Sequence, residues 1–283
     1  MRFDPPDAAL ILADVRRSLA EDLGTGDATA DLLPADATAQ AHVITREAAV
    51  LCGQSWFEAC FRELDAGVAV TWHAADGDRL EAGQTFVEIR GNARALVSAE
   101  RCALNFVQTL SATATVTAAH VAAVVGTRTR ILDTRKTLPG LRIAQKYAVR
   151  CGGGSNHRIG LFDAMLIKEN HIAAAGSLTA AVRAARAFHP QLLLEVEVEN
   201  FAELGEALAA GVDRVMLDEF ADADLDRAVA EVDGRAEIEV SGGVDLSRLK
   251  TIAASGVDFI SVGALTKHVR AIDLSMRVKL NRT

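Results

Sequence analysis

The chain has 283 residues, 50% apolar and 24% charged, with 30 basic against 38 acidic side chains and a net charge of −8. That length suits one or two ordinary cores, and the negative balance argues against nucleic acid as the main partner, since a phosphate backbone wants a broad basic face. The start, MRFDPPDAAL, lacks a signal-peptide pattern, and the most apolar long run, Thr113 to Val125, is too short for a bilayer and holds His120.

The four cysteines (Cys52, Cys60, Cys102, Cys151) are scattered, with no C-x-x-C, which predicts reduced thiols in a cytoplasmic protein. Residues 7 to 22 carry Leu10, Ile11, Val15 and Leu19 at helical spacing, and GTGD at 24–27 ends that helix in a turn. From 38 to 90 the period changes: AHVITR, AVLCG, VAVTWHA and TFVEIRG are short β-rich runs separated by Gly and Asp. DGDRLEAGQTFVEI has the turn-strand pattern of small sandwich or carrier modules. It has no lysine at its tip for a prosthetic group, so it reads as structure.

From Ala93 to Val125 the sequence is helix-forming and apolar on more than one face, which predicts two helices filling a core or a subunit contact. Arg101 and Asn105, four apart, share a face of the first. An arginine in so apolar a helix either snorkels or points at something negative.

After residue 126 strands alternate with helices. The strands are TRIL (129–132), DAMLIK (163–168), LLLEVEV (192–198), RVML (214–217), AEIEV (236–240) and DFISV (258–262), with helical runs at 201–210, 222–231 and 245–254. This is a parallel sheet with helices outside. Six strands fall short of a complete eight-unit barrel, so an irregular, incomplete α/β barrel fits, with a doubly wound open sheet as its rival.

Charge singles out residues 128 to 171, where nine basic side chains stand against three acids, leaving 21 against 35 elsewhere. An acidic protein that gathers cations beside Gly152-Gly153-Gly154 is building a pocket for a small, multiply anionic ligand. A solvated helix face would explain Arg142, Lys146 and Arg150 but not the cations at strand ends. Ligands of parallel sheets sit at the carboxyl ends of strands, and each strand here ends in useful groups. These are Asp133, Arg135 and Lys136; then Lys168, Glu169, Asn170 and His171; then Glu195, Glu197 and Glu199 on one face; then Asp218 and Glu219, Ser241-Gly242-Gly243, and Gly263.

The arginines and lysines suit carboxylates or phosphates, and the glycine turns offer N–H groups to a phosphate. Glu197 and Asp218 would repel such a ligand unless Mg²⁺ or ligand hydroxyls stand between. Zinc is not expected, because His157, His171 and Cys151 lack ligand spacing, and nothing marks Cys151 as an activated nucleophile.

DTRKTLPGLR, GGGSNHRIGLFDAMLIKENHI, EVEVEN, VMLD, VSGG and SVGALT, with AEDLGTGDATADLL at 20–33 and SAERCALNF at 98–106, cover nearly the whole chain. In these motifs the sequence resembles the quinolinate phosphoribosyltransferases, the decarboxylating nicotinate-nucleotide pyrophosphorylases. The resemblance implies an N-terminal α/β sandwich over 1–112, joined by the C-terminal segment 266–283, and an irregular, incomplete α/β barrel over 113–265. It implies a homodimer or a dimer-based hexamer. The implied reaction joins quinolinate to phosphoribosyl pyrophosphate, releasing pyrophosphate and CO₂ and giving nicotinate mononucleotide for NAD synthesis, with Mg²⁺.

By matching motif, Arg135, His157, Arg158 and Lys168 would hold quinolinate, and Arg101 would reach in from the neighbouring subunit. Thr134, Lys136, Glu197, Asp218, Ser241, Gly242, Gly243, Gly263 and Ala264 would serve the sugar phosphate. Lys136, Lys168, Glu197 and Asp218 would take the catalytic parts, with indirect metal contact through Glu197 and Asp218. A histidine often follows GALT in the family; here Lys267 does, with His268 next, which leaves the role of either open. Two other readings are a barrel enzyme acting on a mono-acid such as nicotinate, and a non-catalytic metabolite-binding protein. The richness in arginine favours a diacid over the first, and the presence of both Glu197 and Asp218 favours activity over the second.

Overall fold

A computed structural model describes residues 3–281, and the chain packs as two compact units. The first comprises Met1–Ala118, Thr137–Gly153 and Leu265–Thr283; the second comprises Ala119–Lys136 and Gly154–Ala264. In chain order the elements begin with α1 (Ala8–Leu23), β1 (Thr38–Thr45), β2 (Ala49–Val50), α2 (Gln54–Leu64), β3 (Ala69–Trp72) and β4 (Arg79–Leu80). Next come β5 (Thr85–Asn92), α3 (Ala93–Ala123), β6 (Arg130–Leu132), α4 (Arg142–Cys151), β7 (Ala164–Ile167), α5 (Glu169–Ala175) and α6 (Leu178–Phe188). The remainder is β8 (Leu193–Val198), α7 (Phe201–Ala210), β9 (Arg214–Asp218), α8 (Leu225–Val232), β10 (Glu237–Ser241), α9 (Leu249–Ala254), β11 (Phe259–Ser261), α10 (Ala264–Lys267) and β12 (Leu274–Leu280).

In the first unit, Asp7 starts α1 by accepting the Ala9 N–H at 2.7 Å, and Gly24, at φ 52°, ends it. Ile11, Val15 and Leu19 are buried, whereas Leu10 stays on the solvent side. The antiparallel sheet runs β12-β1-β5-β3, so the C-terminal segment closes its edge by pairing with β1. Along β1, Ala39, Ala41, Val43 and Thr45 point inward, the period-two pattern of a sheet covered on one face.

Helix α2 lies between two of the short β-rich runs read in 38–90, where no helix was expected. Trp56, Phe57, Cys60 and Phe61 recur at helical spacing and are all buried in the unit's core. The two helices expected over 93–125 are also one, the 31-residue α3. No Gly or Pro interrupts it, and the hydroxyls of Thr115 and Thr117 bond the carbonyls four residues back, at 2.6 and 2.7 Å, so the Ser/Thr stretch continues the turns.

In the second unit the six expected strands form within one residue of their expected ends. They make one parallel sheet in the order β6-β11-β10-β9-β8-β7. Each strand from β7 to β11 neighbours the next in sequence, and the last returns to the first without a reversal of direction. A doubly wound sheet needs such a reversal, so the topology is that of a barrel. Its seam lies between β6 and β7, which do not pair among the described residues; there Ser155 pairs with Leu132 instead.

The units differ from the expected boundaries in two respects, the first being that unit one runs on past residue 112 to Ala118. Second, Thr137–Gly153 joins the first unit, because Ala144, Tyr147, Ala148 and Cys151 of α4 are part of its core. The triple glycine has a packing reason there: a Cβ on Gly152 would stand 2.4 Å from the Ala114 carbonyl oxygen of α3. Among the described residues no helix is long and apolar enough to cross a membrane. All four cysteines are free and buried.

Candidate active site

The carboxyl ends of the barrel strands carry most of the expected site, and neighbouring strands bring its members together. After β6, Thr134 Oγ1 accepts the Lys136 N–H at 3.0 Å, a short turn that leaves Arg135 half-buried and Lys136 exposed. The next strand, β11, is followed two residues on by Gly263, where a Cβ would lie 3.1 Å from Lys136 Cδ and 3.6 Å from Thr134 Oγ1. Ala264 comes next, at the start of α10.

Ser261 of β11 hydrogen-bonds Ser241 at the end of β10, at 3.0 Å. Gly242 then turns at φ 84°, and a Cβ there would meet Asp218 Oδ1 of β9 at 2.8 Å. Glycine is therefore required, and it leaves exposed backbone beside the aspartate. Gly243 is exposed likewise.

Burial along β8 falls toward the rim: Glu195 is 1% exposed, Glu197 9%, and Glu199, beyond the strand, lies on the surface. Glu197 pairs with the Lys168 ammonium at the end of β7. Lys168 is aimed by its own N–H, which donates to His171 Nδ1 at 3.0 Å as α5 begins. Lys168, Glu197, Asp218, Ser241 to Gly243, Gly263 and Thr134 to Lys136 thus succeed one another around a single rim.

His157 and Arg158 are set differently, in the seam beside β6. Asp133, wholly buried, accepts Asn156 Nδ2 at 2.7 Å and the His157 N–H at 2.8 Å. Arg158 Nη1 reaches the Ala164 carbonyl at 3.4 Å. Burial first and Arg135 second hold the Arg158 guanidinium below its ordinary pKa. Two guanidiniums that oppose one another suit a ligand bearing two anionic groups.

The His157 ring turns inward, with Nε2 2.9 Å from Glu195 Oε2 and 3.4 Å from Glu239 Oε2. Burial pushes Glu195 up to about 7, while burial and then the Glu195 charge push Glu239 up to about 8. Arg214 Nη1 stands 3.5 Å from Glu239, and its other nitrogens bond Glu237. The ligand atoms of His157, Glu195 and Glu239 lie within 4.8 Å of one another, a metal-like grouping that chain spacing conceals.

Glu239, Arg214, Asn156 and Ser261 escaped the sequence reading. The one available signal was a glutamate between apolar residues in β10, repeating the β8 pattern. Arg101 belongs to the first unit, on an exposed face of α3 with Asn105. Lys267 and His268 are both exposed.

A parallel-strand barrel with cations, carboxylates and glycine turns at its carboxyl-end rim is the make-up of an α/β-barrel enzyme. The model of the quinolinate phosphoribosyl transferase C-terminal domain matches residues 113–277 and that of the N-terminal domain residues 27–111; the chain belongs to this family. It is 44% identical over 269 residues to the nicotinate-nucleotide pyrophosphorylase (carboxylating) of Mycobacterium leprae (strain TN), spanning 93% of this chain and 95% of that one. It is 40% identical over 262 residues to the probable nicotinate-nucleotide pyrophosphorylase (carboxylating) of Bacillus subtilis (strain 168), spanning 92% and 91%. The structure of the nicotinate-nucleotide pyrophosphorylase from Francisella tularensis is similar over 99% of both chains, with a TM-score of 0.92 and 48% identity.

Proposed function

We propose that this enzyme transfers the phosphoribosyl group of phosphoribosyl pyrophosphate to quinolinate with loss of CO₂, giving nicotinate mononucleotide and pyrophosphate for NAD synthesis. The observation that carries the reading is the division of one rim by sign. Arg135, Lys136 and Lys168 stand with the nearby Arg158 on the cationic side, and Glu197 and Asp218 on the other, Asp218 beside a glycine turn. Quinolinate has two carboxylates, which suits Arg135, Arg158 and Lys168. The sugar phosphate suits Thr134, Lys136, the Ser241-Gly242-Gly243 turn, Gly263 and Ala264.

Departure of pyrophosphate builds positive charge on the sugar carbon and negative charge on the leaving oxygens. Lys136 and the backbone N–H groups oppose the latter, while Glu197 and Asp218 hold sugar hydroxyls. The ring nitrogen becomes cationic once alkylated and stabilises the electron pair left on the adjacent carbon when its carboxylate departs as CO₂, and a proton from solvent then takes the carboxylate's place on that carbon. Orientation and electrostatics do this work without a covalent enzyme intermediate. Hard carboxylate oxygens at Glu197 and Asp218 fit Mg²⁺, which would supply positive charge to the pyrophosphate when bound. We place the enzyme in the cytoplasm as a homodimer or dimer-based hexamer, with Arg101 offered to a neighbouring subunit's site.

The test is turnover with quinolinate and nicotinate side by side, with and without Mg²⁺. Stoichiometric CO₂ and pyrophosphate from quinolinate alone support the reading; equal use of nicotinate overturns it. Mixing inactive Arg101→Ala and Lys168→Ala chains regains partial activity if the site is shared. No recovery in hybrids shown to form places both residues in one subunit's site.

A further inference from the structure

Two acids at the centre of the barrel have no part in the reaction above. Glu195 and Glu239 are 1% and 0% exposed, and Oε1 of each lies buried without a hydrogen bond. A pair of carboxyls in such a place costs stability that apolar side chains would not. Their one shared neighbour from the site is His157.

The hydrogen bonds of that ring decide what it can do. The Arg158 N–H donates to His157 Nδ1 at 2.7 Å, so Nδ1 carries the lone pair and Nε2 the proton. Nε2 then donates to Glu195 at 2.9 Å, with Glu239 at 3.4 Å behind it. From the other side, Asp133 of the loop after β6 accepts both the His157 N–H and the Asn156 amide. The three residues 156 to 158 are thus gripped from β6 on one side and from β8 and β10 on the other. Both ring nitrogens are engaged within the protein, so His157 meets a ligand with its ring face and not with an N–H.

We infer that Glu195, with Glu239 packed behind it, is a positioning residue for the acceptor substrate: it holds the His157 ring by Nε2–H and so fixes Arg158, without touching the substrate itself. The inference rests on quinolinate being the acceptor. It departs from the direct ligand role that the resemblance implies for the His157 side chain.

The experiment compares Glu195→Ala and Glu195→Gln with the wild type in steady-state kinetics. Glu195→Ala raises KM for quinolinate about tenfold or more, the worth of a hydrogen bond to a charged group. KM for phosphoribosyl pyrophosphate stays within about twofold. Glu195→Gln, whose amide oxygen still accepts, recovers most of the loss. A merely structural role moves both KM values together or neither, and either outcome overturns the inference. ¹⁵N NMR of the histidine-labelled wild type needs no variant to fold. It shows a protonated Nε2 and a bare Nδ1 at His157, and the opposite tautomer overturns the inference. A wild type that does not use quinolinate sinks the functional reading instead, and the tautomer then decides this one alone.

Discussion

Each unit buries a set of titratable groups, and the two sets are finished differently. In the first unit, Asp76 Oδ1 accepts the Gly53 and Gln54 N–H groups at 3.0 and 3.3 Å, and Oδ2 accepts the Tyr147 hydroxyl at 2.8 Å. Both oxygens are used, and the acid caps the start of α2 beside the thiols of Cys52 and Cys151. In the barrel, Glu195 keeps one buried oxygen, and Glu239 both of its oxygens, without a hydrogen-bond donor. Burial raises all three acids, but the donors around Asp76 restrain it to about 6, while Glu239 reaches about 8. The satisfied acid belongs to a scaffold; the under-satisfied pair lies beneath a binding rim. Proteins tolerate such incomplete polar clusters where function asks for them.

The sharpest way to break this contrast starts at the rim. Lys168→Ala removes the partner of Glu197 and a cation facing the substrate, and turnover falls about a thousandfold in a CO₂-release assay. A drop of tenfold or less would deny the rim its chemistry. Asp76→Ala orphans three donors, two of them buried, and lowers stability by about 3 kcal/mol in denaturant titration, while KM for both substrates is unchanged.

Glu239 gives a pH signature of opposite sign to a paired carboxylate. Its pKa is raised from 4.5 to about 8 in the fold, so its contribution to stability is whole below 4.5 and is lost as pH rises through about 8. Thermal melts from about pH 5 to about pH 9 should therefore decline, and Glu239→Gln should flatten that decline and melt higher at the alkaline end. The smallest effect belongs to the surface of the first unit. Arg16 forms an exposed pair with Glu63, and Arg16→Ala leaves the melting temperature unchanged within error.

Much of the second unit was legible before any tertiary information. The strands of 129–132 through 258–262 formed where apolar runs predicted them, because a buried parallel strand is a local pattern with a local end. The rim residues were legible for the same reason: in a parallel sheet, the residues just after each strand lie at its carboxyl end. The first unit was read less well. The α2 helix sits in a stretch dominated by β-rich runs, and α3 runs on unbroken where two helices were expected. The membership of α4 was also hidden, since its buried face finds a core formed by residues nearly a hundred positions earlier.

By itself the sequence determined the strand-helix alternation, the six strand endings and the segregation of charge by sign, since each depends on residues close together in the chain. Only the tertiary structure decided that the sheet winds one way around with a seam between β6 and β7. Only it brought Glu239, forty-four positions after Glu195, to the same histidine. The reason is physical: spacing along a strand tells which face a side chain takes, but which strands become neighbours is settled by packing of the whole sheet.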